Sequence, residues 1–144
     1  MVTKEVVSAY VGSLENHTLE NDYFREVLYT GKYAQLVLMC LKPGEEIGNG
    51  VHAEAVISFT LSAVSRIRLE RKRNAHVKKW DDMLIPTGIN HNIINASLTV
   101  KLKFYAIFSL PSQPAYTIFK TKADAAEAGS EVHNIDWGAG TGYL

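Results

Sequence analysis

The residues whose types and spacing could carry chemistry centre on Pro86-Thr87-Gly88-Ile89-Asn90-His91-Asn92-Ile93-Ile94-Asn95. Met83, Leu84 and Ile85 come just before, and Ile93 and Ile94 close the stretch, so it reads as strand, tight turn, strand. Proline holds φ near about −65° as the chain turns, and Gly88 admits a φ that other residues resist. His91 then falls at the mouth of the second strand, where alternation points its imidazole inward. Such an imidazole serves as a metal ligand or as a polar anchor for a small molecule. Thiol chemistry is excluded by contrast. The single cysteine, Cys40, allows no internal disulfide and no cysteine-only metal site, and it lies in the apolar run of residues 36–41 as a buried, inert thiol.

The elements that must position His91 follow from the rest of the chain. Its 144 residues suffice for one domain with a real core, and 47% of them are hydrophobic. A formal net charge of +0 argues against electrostatic nucleic-acid binding and puts no barrier in the way of self-association. Lys4 and Glu5 interrupt any apolar leader, and no stretch is long enough to span a bilayer. The expectation is a cytoplasmic protein with neither nucleic acid nor membrane as partner.

Val6, Val7, Tyr10 and Val11 recur at helical spacing, and residues 13–20 are polar. Residues 21–29 read as a strand closing one edge. Gly31 marks a turn, residues 33–41 are rich in β-formers, and Lys42-Pro43-Gly44 ends them. Residues 51–61 read as another strand. Residues 65–73 alternate and then become basic, which predicts a solvated hairpin. Leu98, Val100, Leu102 and Phe104 alternate with polar residues, so residues 97–110 read as one long strand with a buried face. Residues 115–120 predict a short strand. Residues 121–128 predict a helix with Thr121 as N-cap, Asp124 three residues on and Gly129 as its stop. Residues 129–144 form a Gly-rich tail, and Trp137 and Tyr143 could dock on a neighbour. The short, evenly spaced strands predict a single antiparallel barrel or sandwich.

Three places carry a resemblance. The first is Tyr29-Thr30-Gly31-Lys32, then Gln35-Leu36-Val37-Leu38-Met39 and Lys42-Pro43-Gly44-Glu45-Glu46-Ile47-Gly48; the second is the stretch through His91; the third is Lys120-Thr121-Lys122-Ala123-Asp124-Ala125. From residue 21 to 128 the chain resembles the small single-domain bacterial cupins. That implies an all-β fold, a double-stranded β-helix or jelly-roll barrel with a short C-terminal helix, preceded by an extension over residues 1–20. It also implies a divalent metal, held inside the barrel by two or three histidines and a carboxylate or amide. The family's second motif is matched at Pro86, Gly88, His91 and Asn95, with Trp80 in place of its leading glycine. The first motif is damaged. Gly44 opens it and His52 fills its second histidine position, but Gly50 stands at the first, Val56 or Ile57 at the acid or amide, and Ala63 or Val64 at the closing glycine. Phe119 occupies a position where the related pattern often has histidine.

His52 and His91 are therefore the metal ligands that carry over. Zinc or iron sites need three protein ligands and an open position. Glu46 or Glu54 could supply the third, and Glu54, two residues beyond His52, faces the same way in a regular strand. The other reading leaves His52 and His91 as hydrogen-bonded interior or rim histidines. His17, His76 and His133 lie outside the motifs as surface residues.

The damage has two explanations. Val56-Ile57-Ser58-Phe59 can be encoded so that a shifted frame reads Asp-Gln-Phe, which related cupins carry after the histidine. A compensated frameshift across residues 56–76 is one, ordinary divergence the other, and sequencing the gene decides.

The functional expectation is a cupin barrel of unassigned biochemical role, ancestrally divalent-metal-binding, with zinc, manganese or iron held weakly or lost. A metal-dependent oxygenase or isomerase is the enzymatic alternative. A non-catalytic small-molecule-binding or scaffold protein is the other, with an apolar pocket and imidazole anchors. A homodimer is expected, with Tyr23, Phe24, Val27 and Leu28 adding to a partner's sheet.

Overall fold

The computed structural model describes residues 9–50, 56–61, 65–70, 73–86 and 88–132. The expectations placed on His52, Glu54, His133, Trp137 and Tyr143 lie outside those residues.

The chain forms two antiparallel sheets. Strands β1 (Arg25–Thr30), β2 (Gln35–Leu41), β3 (Val56–Leu61), β6 (Asp82–Pro86), β8 (Leu102–Phe108) and β9 (Ile118–Phe119) make the larger one, in the order β6-β3-β8-β2-β1-β9. Strands β4 (Ser65–Leu69), β5 (Arg73–Val77) and β7 (His91–Ile94) make the smaller, in the order β5-β4-β7. Isolated bridges from Glu46 to Ile94 and from Gly50 to His91 run along the other edge of β7. One core joins the inner faces. Val37, Met39, Leu41, Ile85, Leu102, Phe104 and Phe108 come from the larger sheet, and Ile67, Val77 and Ile93 from the smaller. Burying each large apolar side chain there contributes about 1.5–3 kcal/mol. This is the jelly-roll barrel that the sequence predicts, and Ser65–Leu69 and Arg73–Val77, in the stretch whose pattern departs from the family's, form paired strands of it.

Strand β2 is buried along its whole length because both its faces are covered. Val37, Met39 and Leu41 enter the core, while Leu36, Leu38 and Cys40 lie on the opposite face. Helix α1 (Leu14–Glu20) packs against β2 and β8. Lys103 Nζ ties the end of that helix down by donating to the Leu19 carbonyl at 2.6 Å. Cys40 is buried as expected, and desolvation pushes its thiol pKa up, which suppresses the thiolate.

Four local expectations are corrected. A helix lies in the polar stretch of residues 13–20, because Ser13 caps it by accepting from the Asn16 N–H at 3.3 Å, while Val6 and Val7 of the helical spacing lie outside the described residues. The strand expected over residues 97–110 begins only at Leu102, and Leu98 and Val100 are exposed. There the Ser97 hydroxyl accepts from the N–H groups of Thr99 and Val100, at 3.1 and 2.9 Å, and holds a turn that the apolar alternation concealed. Helix α2 (Lys122–Val132) has the expected cap, with Thr121 Oγ1 accepting from Asp124 N and Asp124 Oδ2 from Thr121 N, but it runs through Gly129 rather than stopping there. Finally, β1 is no free edge. It pairs with β2 on one side and, at Arg25 and Glu26, with β9 on the other, and Phe24 and Val27 are buried, so those two residues are committed to their own sheet. Among the described residues no helix is long and apolar enough to cross a membrane.

Candidate metal and ligand site

Strand β6 ends at Pro86, Gly88 adopts φ +82, and the chain returns as β7 beginning at His91. The left-handed φ is one that glycine takes without a Cβ clash. His91 stands opposite Leu69 in register, as Ile93 stands opposite Ile67. Ile67, Ile93 and Leu69 all pack into the core, so His91 shares their inward face, and it is buried. Its Nδ1 lies 3.0 Å from the Ile89 carbonyl. A carbonyl oxygen can only accept, so Nδ1 carries the proton and Nε2 is the nitrogen with ligating character.

The first motif meets the second at Gly50. The Gly50 N–H donates to the His91 carbonyl and the His91 N–H to the Gly50 carbonyl, both at 3.0 Å. These two residues are thus a directly opposed pair whose Cβ positions share one face. A Cβ built on Gly50 meets nothing within 4 Å, and Gly50 is not among the positive-φ glycines. The position where the family carries its first histidine is therefore adjacent to His91, sterically open and conformationally ordinary. Ile57, at the acid or amide position, stands in register with Ile85 and Phe108, both of them core residues.

Loop 46–50 is held against β7 by Asn92, whose Oδ1 accepts from Gly48 N at 2.9 Å, and by the Ile47 N–H, which donates to the Ile93 carbonyl at 3.0 Å. The same pairing corrects the expectation for Glu46. It bridges to Ile94, one residue out of phase with the inward positions of β7, and its side chain is exposed. Its carbonyl accepts from Lys122 Nζ at 2.6 Å. The structure does not bring Glu46 to His91. His76 is exposed on the outward face of β5, as expected, and His17 is half-buried and hydrogen-bonded to the Tyr10 hydroxyl. Among the described residues no three of His, Cys, Asp and Glu gather as a metal site. The described residues supply one imidazole here and no complete donor set.

His91 lines a cavity of about 180 Å³ between the sheets, together with Gly50, Arg25, Met39, Phe108 and Ser112. Arg25 stands opposite Met39 on β2 and Phe119 on β9, which puts it on the inner face. The Ser112–Gln113 wall is fixed by Gln35, a fully buried amide that fills its capacity. Its Oε1 accepts from Ser112 N and Gln113 N at 3.0 Å each, and its Nε2 donates to Thr30 Oγ1 at 3.0 Å and to the Gln113 carbonyl at 2.8 Å. Sequence reasoning missed Arg25, Ser112 and Gln35. The one available signal was the two-residue spacing of Arg25 and Val27, and the neighbouring apolar Phe24 and Leu28 obscured it.

Two curated proteins are similar to this chain. It is 35% identical over 129 residues to the uncharacterized protein YrkC of Bacillus subtilis, covering 83% of this chain and 67% of YrkC. It is 34% identical over 125 residues to the uncharacterized protein L612 of Acanthamoeba polyphaga mimivirus, covering 85% of this chain and 78% of L612. Among solved structures, BH2720 from Bacillus halodurans matches with a TM-score of 0.78 and 29% identity over 82% of this chain and 93% of its own. A cupin superfamily protein from Desulfitobacterium hafniense matches with a TM-score of 0.54 and 14% identity over 60% of this chain and 76% of its own. The chain has the cupin fold, a double-stranded β-helix, and belongs to one family with YrkC and L612. No family model matches the chain.

Proposed function

We propose that this cupin is a small-molecule-binding barrel of metal-binding ancestry in which the metal site is impaired. The observation that carries the reading is Gly50, which leaves an empty Cβ position directly opposite the inward His91 where the family pattern has a histidine. His52 and His91 are then the remaining imidazoles, with Glu54 as the one motif carboxylate left to consider. A zinc, manganese or iron ion held by two imidazoles and water lacks the third protein ligand that fixes geometry. Elemental analysis of the purified protein tests this, and well under one transition metal per chain is expected. Stoichiometric metal would overturn it and restore the oxygenase or isomerase alternative.

The homodimer belongs to this proposal by a different surface from the one first expected. Leu84 on β6 and Ile107 on β8 are exposed and both stand opposite Ser58 on β3, so they share one outer face of the larger sheet. A second copy covering that face would remove them from water. Light scattering at micromolar concentration is expected to give twice the chain mass, and a monomeric mass refutes it.

A further inference from the structure

Two residues on the wall of the His91 cavity carry donors that have no acceptor among the described residues. The first is Arg25. Its register partners Met39 and Phe119 set it on the inner face of the sheet, and it lines the cavity. Burial holds its pKa below the ordinary value, yet a guanidinium keeps its charge in proteins. Among the described residues no carboxylate pairs with it, and the recorded contact of its guanidinium is the Phe24 ring, with its centroid at 5.4 Å. The second is Ser112. Its hydroxyl oxygen is buried and has no hydrogen-bond partner among the described residues, and the residue lines the same cavity.

Arg25 is half-buried and the Ser112 hydroxyl is buried, so each gains from a matching partner. Both lack the same thing, an acceptor, and Arg25 needs that acceptor to be negative. The rest of the wall is largely apolar, with Met39, Ile47, Ile93 and Phe108. One cation favours a single negative charge, and the planar fork of a guanidinium matches the two oxygens of a carboxylate. We infer that the cavity binds a small organic carboxylate, its oxygens on Arg25 and Ser112 and its apolar body against Met39, Ile47 and Phe108. This rests on the small-molecule-binding reading and names the ligand class. The cavity volume of about 180 Å³ limits the ligand to a few carbon atoms or one ring.

The experiment is calorimetric titration of the full chain, in low salt, with butyrate and benzoate, with butyramide and benzamide as neutral counterparts, and with inorganic phosphate. The unmodified protein is expected to bind the carboxylates at least tenfold more tightly than the amides. Arg25→Met should reduce the carboxylates to the level of the amides, Arg25→Lys should keep part of the preference, and Ser112→Ala should weaken the carboxylates severalfold. Arg25→Met removes a half-buried charge and preserves an apolar stem, so its thermal midpoint should not fall; Arg25→Lys gives the second reading if it does. Equal affinity for acid and amide, or carboxylate affinity unchanged in Arg25→Met, overturns the inference and leaves the small-molecule-binding reading standing. Tighter binding of phosphate than of either carboxylate also overturns it. Absence of binding by acids and amides alike overturns both.

Discussion

Gly50→His is expected to turn this cupin-fold protein into a tighter zinc-binding protein. His91 and position 50 form a hydrogen-bonded antiparallel pair, and such pairs place their side chains on one face with Cα atoms about 5.5 Å apart. His91 already has Nδ1 engaged by the Ile89 carbonyl, which aims Nε2 as the ligating atom. A second imidazole grown from position 50 therefore starts beside the first. The substitution strains nothing: the position is outside the left-handed region, and its Cβ enters open space. An added protein ligand should tighten zinc by about a hundredfold, on the order of 2.8 kcal/mol. Titration with zinc, manganese and iron(II) reads the gain, and Gly50→Ala serves as the control that fills the space without adding a ligand. Combining Gly50→His with Ile57→Gln should tighten binding further, since position 57 is in register with core residues and an amide there adds a donor atom. A folded Gly50→His protein with unchanged zinc affinity would show that this strand pair does not form the metal site.

The largest loss of stability is expected at Asn95, the last residue of the intact motif. It is fully buried. Its Nδ2 donates to the carbonyls of Leu41 and Lys42 at 3.1 Å each and of Val100 at 2.8 Å, and its Oδ1 accepts from Ser97 N at 3.1 Å. Its backbone joins in, with its N–H donating to the Glu45 carbonyl at 2.9 Å. One amide thus ties the end of β2, the end of β7 and the turn before β8 together. Asn95→Ala leaves the buried Leu41 carbonyl and the part-buried Lys42 and Val100 carbonyls without their donor, and a buried acceptor left unpaired costs about 1–3 kcal/mol, so a loss of about 3 kcal/mol is expected. For a chain of this size that lowers the thermal midpoint by roughly 10 °C. Asn95→Asp sharpens the test because it keeps the volume and replaces the donor with an acceptor facing three carbonyl oxygens. It should cost at least as much as alanine. A midpoint within about 2 °C of the parent for Asn95→Asp would refute the clamp, given that one kcal/mol is about 2–4 °C in this size range.

Asn95 also separates two meanings of a motif residue. Its side chain is consumed by backbone carbonyls, so its place in the motif is structural. His91, in the same motif, faces the cavity. Pattern alone gives both residues the same standing, and only their partners tell them apart.

What the chain determined locally was legible in it. Pro86 and Gly88 announce the turn that presents His91, and the structure has Gly88 at φ +82 because that turn requires it. Thr121 and Asp124 announce the start of α2 by reciprocal hydrogen bonds within four residues. The apolar run through Cys40 announces a buried strand. In each case the partners are near neighbours in sequence, so residue type and spacing suffice. The opposition of Gly50 and His91, the inward register of Arg25, the exposure of Glu46 and the clamp of Asn95 are of another kind. They depend on which strand lies beside which, and a shift of one residue in that register would move Glu46 inward and Arg25 out. The alternation around Arg25 fits either face, and the β-bulge between Val27 and Tyr29 breaks its phase. Tertiary pairing therefore decided which polar side chains reach the cavity, because burial of the shared core selects the register and the polar residues follow it.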